Sequence, residues 1–244
     1  MKGLRGFFTF AVLIGVLPLV MPDNYFVTVV GVTIGLHIIL AVSLNLFMGF
    51  AGQISLGHAA FFGVGAYSSA ILTTRYELNA WLAMAIGLAV AAILANLISR
   101  PILKLKGHYL AMATLGFGII INIIMVQEVA WTGGPDGMSG IPGLSVFGWE
   151  VDSDLKWYAV VAVVMLFCVL ISLNILRSRA GRALQAVHGS VVAAHTMGVD
   201  TARVSSQVLV VSALMASLAG SLFEHHQAFV SPVSFSFLFS IALV

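Results

Sequence analysis

Apolar residues fall along this chain in long runs, centred on positions 7–22, 25–48, 57–74, 80–99, 108–127, 157–176 and 205–223. Each run is close to the roughly 20 residues that carry a helix across about 30 Å of hydrocarbon. Lipid leaves no partner for an open backbone, so such runs are helices. Their length also excludes the short alternating strands of an outer-membrane barrel. The pattern predicts an all-α, polytopic transmembrane helix bundle of about seven complete spans. An eighth run opens near Phe235 and stops at Val244. As a helix its last eight apolar residues cover only about 12 Å. The expectation is a single transmembrane domain over 1–244 that is incomplete at its C-terminal end. The basic start with Lys2 and Arg5 also suits a signal peptide, but no small-x-small cleavage site precedes Asp23, and a first spanning helix is favoured.

Composition sharpens the class. Charged residues make up 8% of the chain and mean hydropathy is +1.07, against about 25% charged residues in a soluble domain. The single cysteine, Cys168, excludes an intrachain disulfide and a cysteine-based metal site, and no metal ligand set is expected. With the N-terminus inside and the spans alternating, Lys2, Arg5, Arg100, Lys104, Lys106, Arg177, Arg179, Arg182 and Arg203 fall inside, and only Arg75 and Lys156 outside. The positive-inside rule therefore places the N-terminus in the cytoplasm. All acidic residues except Asp200 then lie outside, Glu224 among them, and no span carries a central charge. That argues against a proton-relay transporter or voltage sensor.

Small residues recur every four positions in the fourth run (Ala83, Gly87, Ala91, Ala95, Ser99) and in the seventh (Ser212, Ala216, Gly220). These are faces on which helices lie close. The stretch "GFAGQISLGHAAFFGVGAY", 49–67, places glycines and polar side chains between the second and third runs. It is either a tight interfacial turn or a broken helix lining a pathway. On the second reading Asn45, Gln53, Ser55 and His58 are candidates for a translocation path.

Two connections stand out. The outer one, 128–156, holds "WTGGPDGMSGIPG" with apolar Met138, Ile141, Val146, Phe147 and Trp149, which suits a packed cap or docking surface. The inner one, 177–204, reads as one amphipathic helix from Gly181 to Met197 stopped by Gly198. It suits either a protein partner or the lipid headgroups.

The segments "LNLFMGFAGQISLGHAAFFGVGAY", "LKGHYLAMATLGFG", "TGGPDGMSGIP", "RSRAGRALQAVHGSVVAAHTMGVD" and "FVSPVSFSF" resemble, in order, the signature segments of the branched-chain amino acid permease family, the M-type membrane subunit of an ABC importer. The resemblance covers about Leu44 to Ser240, and carriers of urea or short amides are similar. It implies a multi-pass protein of the bacterial inner membrane that works with a second homologous permease subunit, two cytoplasmic ABC ATPases and an extracytoplasmic solute-binding protein. The inner segment would be the coupling helix, with Arg182, Ala193, Ala194 and Gly198 at the ATPase contact. Val192 stands where the family often has Glu, and His188, Gly189 and Ser190 precede it, which leaves the contact more apolar. The chain has no phosphate-binding G-x-x-x-x-G-K-[ST] run, so ATP would be used by a partner, with no cofactor bound here and no nucleic acid partner. A passive channel and a non-transporting scaffold are the alternative classes.

Overall fold

Each apolar run of the sequence carries a helix in the computed structural model, which describes residues 2–20, 29–105, 107–146 and 149–243. The order is α1 (Lys2–Val20), α2 (Gly31–Asn45), α3 (His58–Arg75), α4 (Ala80–Ile102), α5 (His108–Gln127), the short α6 (Val129–Thr132), α7 (Asp154–Arg177), α8 (Arg179–Gly189), α9 (Val191–Thr196), α10 (Thr201–Gln227) and α11 (Phe237–Leu243). Side-chain caps fix several starts. Asn79 accepts from Trp81 N, Ser153 from Lys156 N, Ser178 from Ala180 N, Ser190 from Ala193 N and Asp200 from Arg203 N. Each satisfies a backbone donor that the first turn leaves open.

Five of these segments are long and apolar enough to cross a membrane: Gly31–Phe50, Ala80–Ile102, His108–Gln127, Asp154–Arg177 and Thr201–Gln227. The chain is a multi-pass membrane protein. The set is smaller than the seven windows of the sequence, for a physical reason. In α1 the apolar helix is short, Gly6–Pro18, and α3 carries His58, Ser68, Ser69, Thr73 and Thr74 in its 18 residues. Helix α3 is wrapped by protein, with Ala59 to Tyr67 all buried. A helix that meets protein on every side has no need of a lipid-grade surface.

The core is the packing of α3, α4 and α10. The stripe Ala83, Gly87, Ala91, Ala95 and Ser99 is, with Ala80 and Met84, the buried face of α4. Ser212, Ala216 and Gly220 are buried on α10. The approach is close enough that a Cβ on Gly220 would collide with the Phe62 carbonyl, and one on Gly65 with the backbone of Ser217. Around this triad, α2 packs on α7 and α10, α1 on α7, and α5 on α3. Tyr158 of α7 donates to the Ile14 carbonyl of α1 at 2.9 Å.

Each end of the bundle has its own structure. At one end β1 (Met138–Ser139) pairs antiparallel with β4 (Phe229–Val230), and β2 (Ser145–Val146) with β3 (Trp149–Glu150). These short strands are the departure from an all-helical chain. They belong to a folded cap in which Met138, Ile141, Leu144 and Val151 are buried, and Trp81 Nε1 donates to the Ser145 carbonyl at 2.6 Å. Met138 and Ile141 are thus core residues of the expected cap. Phe147 and Asp23 lie outside the described residues, as does Lys106. At the opposite end lie α8, α9 and the link between α2 and α3.

The close contacts set an expected outcome. Gly220→Val should cost at least the roughly 1–3 kcal/mol of an overpacked core and lower the unfolding midpoint in detergent by several degrees. Gly116→Ala, with nothing near its added methyl, should leave the midpoint unchanged.

Candidate functional site

Helix α2 runs into a π-helical turn, Leu46–Phe50, and then into non-helical backbone until α3 begins at His58. Gly52 has φ +67 and lies against His188 of α8, whose Cγ would be 3.2 Å from an added Cβ. Gly57 sits so near the Thr114 carbonyl of α5 that no side chain fits. Two backbone donors here are paired, Gln53 N with Phe47 O at 3.3 Å and Leu56 N with Thr114 Oγ1 of α5 at 3.0 Å. A second non-helical stretch follows α10. It turns at Ala228 (φ +52), passes Pro232, whose carbonyl accepts from Asn122 of α5 at 3.0 Å, and brings Phe235 against Phe62 and Tyr67 of α3. Its helix α11 returns to the start of α3, where Ser240 Oγ accepts from Ala59 N at 2.9 Å. Both stretches are only partly covered: Ala51, Ser55 and Gly57 are buried beside exposed Gly52 and Ile54, and Val230, Pro232 and Phe235 are buried beside exposed Phe229 and Val233.

Two polar clusters sit on α3. At its start His58, fully buried, has Nε2 2.7 Å from Ser43 Oγ of α2 and 3.4 Å from Ser212 Oγ of α10. Ser43 also donates to Leu40 O, and Ser212 to the Ser43 carbonyl. The histidine is a three-helix rivet, and its Nδ1 has no hydrogen-bond partner among the described residues. Toward the other end Ser69 Oγ lies 3.0 Å from His225 Nε2. His225 Nδ1 donates to the Pro142 carbonyl of the cap at 2.8 Å, so in the neutral ring Nε2 is the acceptor and Ser69 the donor. Glu224 is fully buried beside it, with Oε1 3.4 Å from the same Nε2. Neither of its carboxyl oxygens has a hydrogen-bond partner among the described residues.

Glu224 corrects one expectation. The apolar window ended at position 223, which put this residue in an outer loop, but α10 continues to Gln227 and carries Glu224 inside. The inner segment corrects another, since it is two helices rather than one. Ser190 takes extended backbone (φ −163, ψ 114) and caps α9. Gly198, at φ +83, ends α9 as expected, in the left-handed conformation that glycine adopts freely. Arg182, Ala193 and Gly198 are exposed, whereas Ala194 is buried. The surface presented outward is made by Val192 and Met197, exposed by 69% and 84%.

Residues 26–244 match the family model described as branched-chain amino acid transport system / permease component. The chain belongs to this permease family. It is 34% identical over 225 residues to the high-affinity branched-chain amino acid transport system permease protein LivM of Escherichia coli K12, covering 83% of this chain and 53% of that protein. The LivM protein of Salmonella typhimurium LT2 is 32% identical over the same shares, and the LivH protein of that strain 25% identical over 83% of this chain and 71% of its own length. The chain thus spans about half the length of the LivM proteins it matches. No solved structure matches it.

In this chain, the four path candidates of the sequence do not converge. Asn45 is exposed and lines a groove with Leu46, Phe50 and Val169 between α2 and α7. It is two residues from Ser43, hence on the opposite side of α2 from His58. Ser55 is buried, Gln53 half-buried. The interior polar residues that do converge, Ser43 and Ser212 on His58, Ser69 and Glu224 on His225, were missed because lone serines in apolar helices leave no periodic signal. The triplet Glu224-His225-His226 at a span end was the one usable cue. Among the described residues, no group of three His, Cys, Asp or Glu side chains is placed to hold a metal ion.

His225→Ala removes the hydrogen bond that ties α10 to the Pro142 carbonyl and leaves a buried carbonyl and hydroxyl open, worth about 1–3 kcal/mol. Amide exchange over 138–146 should quicken severalfold while α4 stays protected, as read by hydrogen–deuterium exchange mass spectrometry. Unchanged exchange would show that the cap is held without this bond.

Proposed function

We propose that this chain is a membrane-spanning permease subunit of a binding-protein-dependent ABC importer, translocating branched-chain amino acids or related small solutes such as urea or amides. The observation that carries this reading is the family match across 26–244, joined to identity with LivM proteins over most of this chain. Partners would be a second homologous permease subunit, two cytoplasmic ATPases that bind and hydrolyse ATP, and an extracytoplasmic solute-binding protein. The chain itself would carry no catalytic residue and no cofactor. It would sit in the bacterial cytoplasmic membrane with its N-terminus inside, making seven crossings, with 128–156 outside and 177–204 inside.

The two different ends support that orientation. The cap has buried apolar residues and a surface on which a binding protein can sit, while the opposite end presents α8 and α9 with Val192 and Met197 uncovered. Contact there would rest on shape and apolar area, since Val192 supplies no charge and an exposed pair at Arg182 is worth only about 0–1 kcal/mol. Ala194, being buried, would shape α9 from behind rather than touch the ATPase.

Single cysteines at Ser139 and Ser178, both exposed, in a Cys168-free background should react with an impermeant thiol reagent from opposite faces of intact cells. Labelling of Ser178 from outside would reverse the orientation. In the assembled transporter Ala193→Trp should abolish ATP-driven leucine uptake into vesicles and release the ATPase from the membrane. Gly198→Trp adds strain at positive φ, so Met197→Trp is the cleaner companion. Retained ATPase and normal uptake in both variants would remove α9 from the coupling contact. Leucine flux without ATP would instead make the protein a channel, and no flux from the complete assembly would make it a scaffold.

A further inference from the structure

At the end of the bundle that holds α8, Arg100 in the last turn of α4 and Lys104 just beyond that helix meet Arg203 of α10 around one depression of about 450 Å³, lined also by Ser99, Leu103, Ala202 and Ser206. No carboxylate lies within 4 Å of these three cations among the described residues. The one acid beside them on these elements, Asp200, is engaged at the cap of α10, where its Oδ1 accepts from Arg203 N at 3.0 Å. Three like charges around one hollow repel, and that repulsion is relieved by a shared anion.

The depression opens into a second feature. A groove of about 640 Å³ runs along α4 and α10, bordered by Ala92, Ile93, Asn96, Val204, Val208 and Val211, with Ile175 and Ala180 where α7 meets α8. Ser206 lines both, and its Oγ is 2.7 Å from Ser99 Oγ at their junction. The groove is nearly all apolar and follows two membrane-spanning helices, and its cationic end lies in the last turn of α4 and the first turn of α10. A ligand that matches both parts has a small anionic head and a long apolar tail, and its source in this setting is the bilayer.

We propose that Arg100, Lys104 and Arg203 bind the phosphate of an anionic phospholipid whose acyl chain lies in the groove between α4 and α10. The charge arrangement decides the class: a zwitterionic lipid brings its own cation to a hollow that already holds three, whereas a lipid with net negative charge neutralises them. The inference rests on the membrane placement of the helices and not on the transport reading.

The test is native mass spectrometry of the full chain in detergent, titrated with phosphatidylglycerol and with phosphatidylcholine of the same acyl chains, with glycerol 3-phosphate as a soluble competitor. Phosphatidylglycerol should be retained at least tenfold better than phosphatidylcholine. The combined variant Arg100→Gln, Lys104→Gln, Arg203→Gln should bring the two to the same level. Ala92→Trp, which fills the groove and spares the cations, should weaken phosphatidylglycerol severalfold, and glycerol 3-phosphate should compete poorly. Thermal unfolding of each variant checks the fold, and Arg100→Lys should keep most of the selectivity. Equal retention of both lipids by the unaltered protein, or selectivity that survives the triple variant, overturns the proposal. So does efficient displacement by glycerol 3-phosphate with no effect of Ala92→Trp, which would make this a plain anion site. Cross-linking of a cysteine at Ile93 to another protein chain in place of lipid would also overturn it. None of these readouts uses ATP or uptake, so loss of the importer reading would leave them unchanged.

Discussion

Backbone-to-backbone closeness between α3 and α10 is the constraint on which the rest of the molecule depends. In a bilayer no hydrophobic force brings helices together, because lipid tails are as apolar as leucine, and association must come from dispersion and from polar contacts across the interface. Gly65 against Ser217 and Gly220 against Phe62 bring the two helices to a separation that any side chain would prevent. At that separation Ser221 Oγ reaches the Gly65 carbonyl at 3.0 Å, and Ser212 reaches Ser43 at 2.7 Å. Gly87 then admits α4 to the same junction, near Ser68 and Ser221. Small residues and serine hydroxyls therefore work as one device: the first permit the approach, and the second gain from it.

That device explains where the polar groups of the interior can be. His58 and His225 sit on opposite ends of the α3 interface, each joined to a serine on another helix. One links α2, α3 and α10, and the other links α3 and α10 to the cap through Pro142. Glu224 lies beside His225, and its oxygens, like His58 Nδ1, Tyr67 OH and Ser217 Oγ, have no hydrogen-bond partner among the described residues. A carboxyl group buried in such a place is costly to ionise.

Helix positions could be read from the sequence because hydrocarbon imposes a single length on every crossing, and the stripe from Ala83 to Ser99 could be read because close packing imposes a four-residue repeat. The cap was legible in Met138 and Ile141 for the same reason, as apolar residues in a turn-rich loop need something to cover them. What could not be read has a common cause. The break at Ser190, the inward turn of Ala194 and the burial of Glu224 depend on which neighbour occupies the next few ångströms, and a one-dimensional pattern carries no such information. Asn45 and His58 looked like companions by proximity in sequence, yet helix geometry sends Asn45 and Ser43 to opposite sides of α2, and only Ser43 meets the histidine.

The link between α2 and α3 passes so near the His188 ring of α8 that a methyl on Gly52 would lie 3.2 Å from its Cγ. Both residues are exposed, so this approach lies at the surface of the bundle and not in its packed core. A side chain at position 52 would meet both the strain of φ +67 and the imidazole ring. Glycine avoids both at once, which lets the link and the inner helix share one small patch of surface.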